Sequence, residues 1–310
     1  MSNLTILRSY AQKTNLASLP SSVLLSHSQK SLTIFDAYPK SMFHFLILPR
    51  VTPHLGLTVF DLASLRTLLK ADKAKAKEVM TGLNEDAQTV KGMIQDEMMK
   101  RYGFKWDVWM GFHTVPSMES VVILCNQCYH LTSNTLPVCR HVHVHVISAD
   151  LCSPAMKTKK HYNSFNPKHG FFLHLNDVLS WFDAEPSYYK TVRSHLYTPH
   201  PISCKQNIDR GVIDSSGDLF AFLITQMSKL KKSQYEPLLK DDLVCWRCGH
   251  SFKNMPTLKA HLQEEWDQEA KAEKAKLERK RKREELSGDL VEQNESKRRE
   301  TGVQQAPPDP

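Results

Sequence analysis

The chain has 310 residues, 41% of them hydrophobic, and a formal net charge of +8. That length leaves room for roughly two domains. The basic balance makes a polyanionic partner, nucleic acid first, the natural expectation, with a basic tail that only aids solubility as the alternative. Seven cysteines, an odd number in a chain of this size, argue against a secreted disulfide framework. Met1–Gln12 lacks a signal-peptide run, and the longest apolar stretches, Phe43–Leu48 and Val121–Cys125, are too short for a bilayer. A soluble, intracellular protein with no membrane partner is expected.

Residues 1–30 are Ser-rich and weakly patterned, and little structure is expected of them. A domain over 31–205 follows. Ser31–Pro49 reads as two strands about a turn at Tyr38-Pro39-Lys40. Leu62, Leu65, Leu68 and Leu69 form one stripe of a helical region starting at Asp61, a candidate cap. A second helix is expected over about 72–100, then paired strands at Phe104–His113 and His141–Ile147. Residues 151–169 form a basic loop, and Phe171–Phe182 an apolar helix. A connecting segment, 206–242, includes a helix at Leu219–Leu230. A compact Cys/His module occupies 243–266. The remainder, 267–310, is a charged helix over Gln268–Glu285 and then a disordered basic tail. There are no internal repeats.

Two constellations carry chemistry. His141, His143 and His145 alternate with Val142, Val144 and Val146, so the imidazoles leave one face of a strand and the valines the other. A row of imidazoles is costly to bury without partners, which points to a site; a solvent-facing row or a metal-binding strand are the alternatives. An imidazole is a good nucleophile at neutral pH, and attack on an α-phosphate gives a phosphoramidate that water then cleaves. Flanking imidazoles can orient the nucleophile and neutralise phosphate charge. The second constellation is Cys245-x2-Cys248-x3-Phe252-x5-Leu258-x2-His261. It has the spacing of a ββα zinc finger: two thiolates on a turn, a histidine on the helix and a two-residue core. The usual second histidine would fall at residue 265, where the chain has Glu265; Glu264 and His250 are the substitutes. A carboxylate is a legitimate zinc ligand, and such a module needs its metal to fold.

Longer pieces of sequence resemble the histidine-triad hydrolases, and within them the aprataxin family. They are Asp36-Ala-Tyr38-Pro39-Lys40 with His44 and Leu46–Pro49; Gly111-Phe-His113-Thr-Val-Pro116-Ser117-Met118; His141–Ser148; and Ser153-Pro154 with Lys157-Thr-Lys159-Lys160-His161-Tyr-Asn163-Ser164-Phe165-Asn166. The resemblance implies an α+β fold: a histidine-triad, mostly antiparallel sheet with flanking helices, plus the C-terminal ββα zinc finger. It implies that His143 is the nucleophile, that His141 and His145 contact phosphate and hold it, and that His113 is the general acid. Ser117, Met118, Lys160 and His161 are then phosphate-binding, Lys40 and His44 lie near the nucleotide, and Asp36 meets the ribose. The family tolerates a glutamate as fourth ligand, so structural Zn2+ is expected on Cys245, Cys248, His261 and Glu265.

One departure separates the halves of the site. In the family Pro-Ser-Met leads almost directly into the triad, whereas here residues 119–139 intervene, with Cys125, Cys128, His130 and Cys139. An inserted loop, with or without its own metal, is one reading. A translated intron is the favoured one: deleting the segment restores the family spacing, and Cys139-Arg140 can be encoded by a sequence ending an intron on AG.

The expected function is that of a DNA-repair hydrolase of phosphoric anhydrides. It removes AMP from 5′-adenylated DNA nicks or ends through a covalent AMP–histidine intermediate. Damaged DNA is the partner, AMP the product, and the protein is expected to be a monomer. The finger grips DNA, with Lys157, Lys159, Lys160, His161 and Lys168 adding phosphate contacts. Arg279–Arg283 resembles a nuclear-localisation cluster, so the nucleus is the expected compartment, a solvated charged helix being the alternative. No forkhead-associated module, and hence no phospho-dependent partner, is expected. The rivals are a general nucleoside phosphoramidase or dinucleoside-polyphosphate hydrolase, and a non-catalytic zinc-finger DNA-binding protein with a disrupted triad.

Overall fold

The computed structural model describes residues 6–113, 141–183 and 237–301, with side chains described as far as residue 285. Ser117, Met118, the 119–139 segment with its cysteines, and the helix expected at Leu219–Leu230 lie outside the described residues.

Six antiparallel strands form one sheet: β1 (Leu24–His27), β2 (Ser31–Phe35), β3 (His44–Pro49), β4 (Val108–His113), β5 (Val144–Ser148) and β6 (Phe172–His174), in the order β1-β2-β3-β5-β4-β6. The triad strand β5 is therefore interior, hydrogen-bonded to β3 and β4 on its two sides. Interior strands carry apolar side chains on both faces, and the two faces are covered differently here. One face, with Ile47, Met110, Phe112, Val144 and Val146, packs against the long helix α3 (Lys73–Tyr102), whose buried stripe runs Ala76, Val79, Met80, Leu83, Ala87, Val90, Ile94 and Met98. Asp72 caps α3 by accepting from Lys75 N, and Gly103, in the left-handed region at φ 78°, ends it. The short α2 (Leu65–Lys70) precedes it. Its cap is Ser64 rather than the expected Asp61. Asp61 instead accepts from the backbone and hydroxyl of Thr58, closing the turn before it.

The opposite face has two covers. At the β1 edge, α1 (Ile6–Ala11) and a 3-10 turn at Leu16–Ser18 bury Ala11, Leu16 and Leu19 against Leu32, Ile34, Leu46 and Leu48. Residues 6–30 are thus ordered against the sheet, contrary to the expectation of weak structure. Their three anchors are too irregularly spaced to register as a helix or strand period. Farther along, α4 (Lys159–Phe165) covers the same face together with the finger. The finger consists of β7 (Leu243–Val244) paired with β8 (Ser251–Phe252), followed by the helix α6 (Met255–Thr301); α5 is Leu175–Asp183. Its core is not its own. Leu243, Cys245, Met255, Leu258 and Leu262 pack with Ile147, Leu151, Met156, Tyr162, Phe165 and Phe172 in one buried cluster. One turn on, Trp266 and Ala270 reach the α3 core, the Trp266 ring lying among Tyr102, Phe104 and Trp106. The boundary expected at 243 therefore does not separate two cores.

Two further differences have local causes. The segment expected as a helix from Phe171 begins as β6, because Phe172–His174 pairs with His113–Gly111. Gly111 permits this approach: a Cβ there would lie 2.2 Å from the Leu173 carbonyl oxygen. At the other end, α6 runs to Thr301, past the disorder expected after residue 285. Lys276–Glu273 and Lys280–Glu284 are pairs at helical spacing that favour its continuation.

Candidate active site and metal centre

β5 delivers its histidines to one face but gives each a different partner. His141 Nε2 lies 2.7 Å from the Pro49 carbonyl, and since a carbonyl only accepts, this nitrogen carries the proton. The buried ring is thereby tied to the end of β3, which corrects its expected role at phosphate: its outward nitrogen is already committed. His143 Nδ1 lies 2.9 Å from the His141 carbonyl, so Nδ1 is the protonated nitrogen and Nε2 keeps its lone pair. His143 is also the one triad ring left partly exposed. A bare, accessible Nε2 is what a nucleophile requires.

His145 is fixed from β3. Its Nδ1 lies 3.0 Å from His44 Nε2, and the two rings stack. The Lys40 backbone N–H donates to His44 Nδ1 at 3.1 Å, so in neutral His44 the proton sits on Nε2 and is donated to His145 Nδ1. This leaves the His145 proton on Nε2, free to meet an anionic oxygen. His113, at the end of β4, lies with its ring centroid 4.5 Å from that of His145. Its Nε2 is buried with no hydrogen-bond partner among the described residues. Phe165, at the end of α4, touches all three of these rings, with centroids 5.6 Å from His44, 4.6 Å from His113 and 5.4 Å from His145.

Burial keeps the cluster neutral. It pushes His44 down to about 4, against the pull of Asp36, and His113 down to about 3, with His143, His44 and Lys40 adding repulsion. His141 falls to about 4 despite its bond to Pro49, His143 is lowered, and His145 lies well below the ordinary histidine range, burial leading in each case. Free His113 therefore holds no spare proton at neutral pH. A phosphate beside it would favour the imidazolium, the form that can give up a proton.

The basic side of the pocket is built by the β2–β3 turn and by α4. Asp36 Oδ1 accepts from Tyr38 N at 2.7 Å and Oδ2 lies 3.3 Å from His44 Nδ1, so the carboxylate shapes the turn carrying Lys40. Asp36, His44 and His145 converge closely enough to suggest a cation site, but their mutual contacts account for the convergence. Lys40 is half-buried, and desolvation lowers its ammonium against the pull of Asp36, with Lys157 adding repulsion. Burial also lowers His161, with Lys40 and then Lys160 adding repulsion, so these three share one neighbourhood. Two of the expected phosphate lysines are engaged elsewhere: Lys159 pairs with Asp242 at 3.3 Å and Lys168 Nζ donates to the Cys245 carbonyl at 3.2 Å.

Sequence reasoning missed the residue that anchors this turn. Buried Asp150 accepts from Met42 N at 2.9 Å, Trp106 Nε1 at 3.2 Å and Ser148 Oγ at 2.5 Å. It ties the start of β3 to the end of β5. An aspartate two residues past a strand reads as a turn, and no local signal separates the two roles.

In the finger, Cys245, Cys248, His261 and Glu265 offer four ligand atoms that all lie within 4.8 Å of one another. Cys248 Sγ is 3.3 Å from His261 Nε2, Glu265 Oε1 is 3.0 Å from that nitrogen, and Glu265 Oε2 is 3.4 Å from Cys245 Sγ. Ligands at bonds of about 2.0–2.3 Å around a tetrahedral zinc stand roughly 3.3–3.8 Å apart. The donor set fits, and it selects Glu265 over Glu264 and His250.

Comparison with known proteins agrees with both halves. The C2HE / C2H2 / C2HC zinc-binding finger family matches residues 168–268. An aprataxin-like protein of Drosophila melanogaster is 25% identical over 246 residues, 79% of this chain and 24% of that one. The aprataxin-like protein of Schizosaccharomyces pombe is 26% identical over 238 residues, 75% of this chain and 69% of that one. Over about three quarters of its length the chain is similar to these aprataxin-like proteins, and its C-terminal part matches the zinc-binding finger family. A solved structure of Hnt3 in complex with DNA and guanosine superposes at a TM-score of 0.48, with 21% identity, 86% of this chain and 97% of that one covered. The chain spans less than half the length of the first relatives it matches, 24% of the fly protein and 49% of the aprataxin of Gallus gallus. The finger family's match begins at residue 168, before β6, in keeping with a finger whose core is shared with the six-stranded sheet.

Proposed function

We propose that this protein hydrolyses the anhydride joining AMP to the 5′-phosphate of DNA. The observation that carries the proposal is the His143 tautomer: a carbonyl holds the Nδ1 proton, so Nε2 presents a lone pair beside neutral imidazoles and a basic turn. Nε2 attacks the AMP phosphorus, forming a P–N bond as the bond to the DNA phosphate oxygen breaks. His113, charged by the phosphates, gives the leaving oxygen its proton. Water then attacks the phosphoramidate, His113 takes back a proton, and AMP and free His143 result. His145 Nε2–H stabilises charge on the transferring group, while Lys40, Lys160 and His161 hold phosphate oxygens. Zinc on Cys245, Cys248, His261 and Glu265 would stabilise the finger's fold. The names of the relatives, aprataxin and aprataxin-like protein, support this reading.

The finger and basic surface favour DNA over a free dinucleotide as substrate. Residues Arg279–Arg283, all exposed on α6, support a nuclear compartment. The test is quench-trapping of adenylated oligonucleotide labelled in the AMP phosphate. Wild type should retain label in an acid-labile bond, and His143→Ala should retain none. Unlabelled wild type that still binds the oligonucleotide would instead make this a non-catalytic binder.

A further inference from the structure

α4 is only seven residues long, and a helix of that length has little stability in isolation. What holds it, besides the sheet, is the finger and the segment 238–242 that leads into it. Tyr162 OH donates to the Val244 carbonyl and accepts from Trp246 N, both at 3.0 Å. Asn163 Nδ2 is directed at the carbonyls of Leu238, Leu239 and Asp241, the nearest at 3.0 Å. Asn166 Nδ2 donates to the Val244 carbonyl at 3.2 Å. Val244 and Trp246 flank Cys245, the first of the four candidate zinc ligands, and Leu238, Leu239 and Asp241 lie just before it. Tyr162, Asn163 and Asn166 are all fully buried, so these bonds are made away from water, where losing one leaves an unsatisfied group. The last residue of the same helix is Phe165, whose ring closes over His44, His113 and His145.

We propose that the finger shapes the catalytic pocket through α4, with Phe165 as a positioning residue for His145 and His113. The finger then governs the chemical step even for a nucleotide substrate that carries no DNA. Physically, one rigid path runs from ligand loop to helix to pocket wall. If residues 238–246 loosen, α4 loses its buried partners, Phe165 swings out, and water reaches imidazoles that the ring now shields. Only the nucleotide half of the substrate is borrowed from the function proposed above.

Adenosine 5′-phosphoramidate is the probe, because nothing in it can touch a DNA-binding finger. Tyr162→Phe keeps the buried ring and removes both hydrogen bonds to the finger; Asn163→Asp keeps shape but turns a donor toward carbonyls into an acceptor. In the full-length zinc-loaded protein, each variant should lower kcat on the phosphoramidate about tenfold with KM within about twofold, as misplacement of reacting groups does. The imidazole resonances of His113 and His145 should shift in both variants, and shift likewise when zinc is removed from wild type. Unmoved resonances and wild-type kcat in both variants, with loss confined to adenylated DNA, would overturn the inference and make the finger a DNA grip alone. Wild type that cleaves the phosphoramidate but not adenylated DNA sinks the DNA reading and leaves this one intact. If wild type cleaves neither, resonances that stay put in both variants still overturn the inference, and resonances that move sustain it.

Discussion

At the scale of single residues, most of the site's identity lies in where protons sit. The alternation of His141, His143 and His145 with valines was legible from the period of a strand, and the triad resemblance singled out His143. Which nitrogen is available was not legible, because it depends on the carbonyl that Nδ1 meets after folding. The same holds for His141, whose tie to Pro49 joins residues 92 apart in sequence. Asp150 had no readable signature, yet it accepts from three separate segments at once. Asp150→Ala should therefore cost about 3 kcal/mol of stability, since several buried donors are left unpaired. It should also lower activity by freeing the turn that carries Lys40. Urea unfolding of the variant measures the first effect; a change under about 0.5 kcal/mol would place Asp150 outside the framework. In the finger, Glu265 is the candidate fourth ligand, and a charged one. Glu265→Gln should weaken zinc affinity by at least about tenfold, whereas Glu265→His should retain the metal. Competition against a chromophoric chelator reads both, and equal affinity in the Glu265→Gln variant and wild type would remove Glu265 from the ligand set.

Among the elements, those with a strong period were legible and those fixed by distant contacts were not. The leucine stripe announced α2, the helix expected over about 72–100 stands as α3, and the Cys/His spacing announced the finger. β6 was mistaken for helix because Phe171–Phe182 is apolar throughout and only pairing with β4 selects a strand. Gly111 is the residue on which that pairing depends. Gly111→Ala places a methyl against the Leu173 carbonyl, which neither backbone can easily yield. A destabilisation of about 3 kcal/mol or more is expected, with activity lost because His113 ends the same strand. Wild-type thermal stability in this variant would show that β6 can slide away. The start of α6 makes the opposite point. The charged helix was expected only from Gln268, with Trp266 assigned to the finger, but Trp266 is a residue of the sheet's core, inserted between Tyr102, Phe104 and Trp106. Trp266→Ala should cost about 3–5 kcal/mol and unfold finger and sheet in one transition, since the two share a core. Separate transitions by tryptophan fluorescence and zinc release would contradict a shared core.

On the scale of the whole molecule, the neutral imidazoles make stability depend on pH in a definite direction. An unfolded histidine titrates near about 6.5. In the folded protein burial holds His44 and His141 at about 4 and His113 at about 3, with His145 also well below its ordinary range. Above about pH 6.5 both states are unprotonated and the difference contributes nothing unfavourable. As pH falls below that, the unfolded chain takes up protons that the folded one refuses, so stability drops by about 1.4 kcal/mol per pH unit for each such proton. The loss saturates only once the pH passes the folded values, near 4 and below. Carboxylates in this chain begin to titrate at the lower end of the same range, so the interval from about pH 6.5 to about pH 5 isolates the histidine contribution. The urea midpoint should therefore fall steeply between about pH 7 and about pH 5, and a double substitution His113→Asn and His145→Asn should flatten the decline. Saturating AMP should flatten it too, because a phosphate beside the cluster raises the folded-state values toward the unfolded ones. A midpoint that stays level across that interval in the unliganded wild type would mean that these rings are charged or solvated in the native pocket. The neutral, desolvated nucleophile on which the proposed chemistry rests would then be absent.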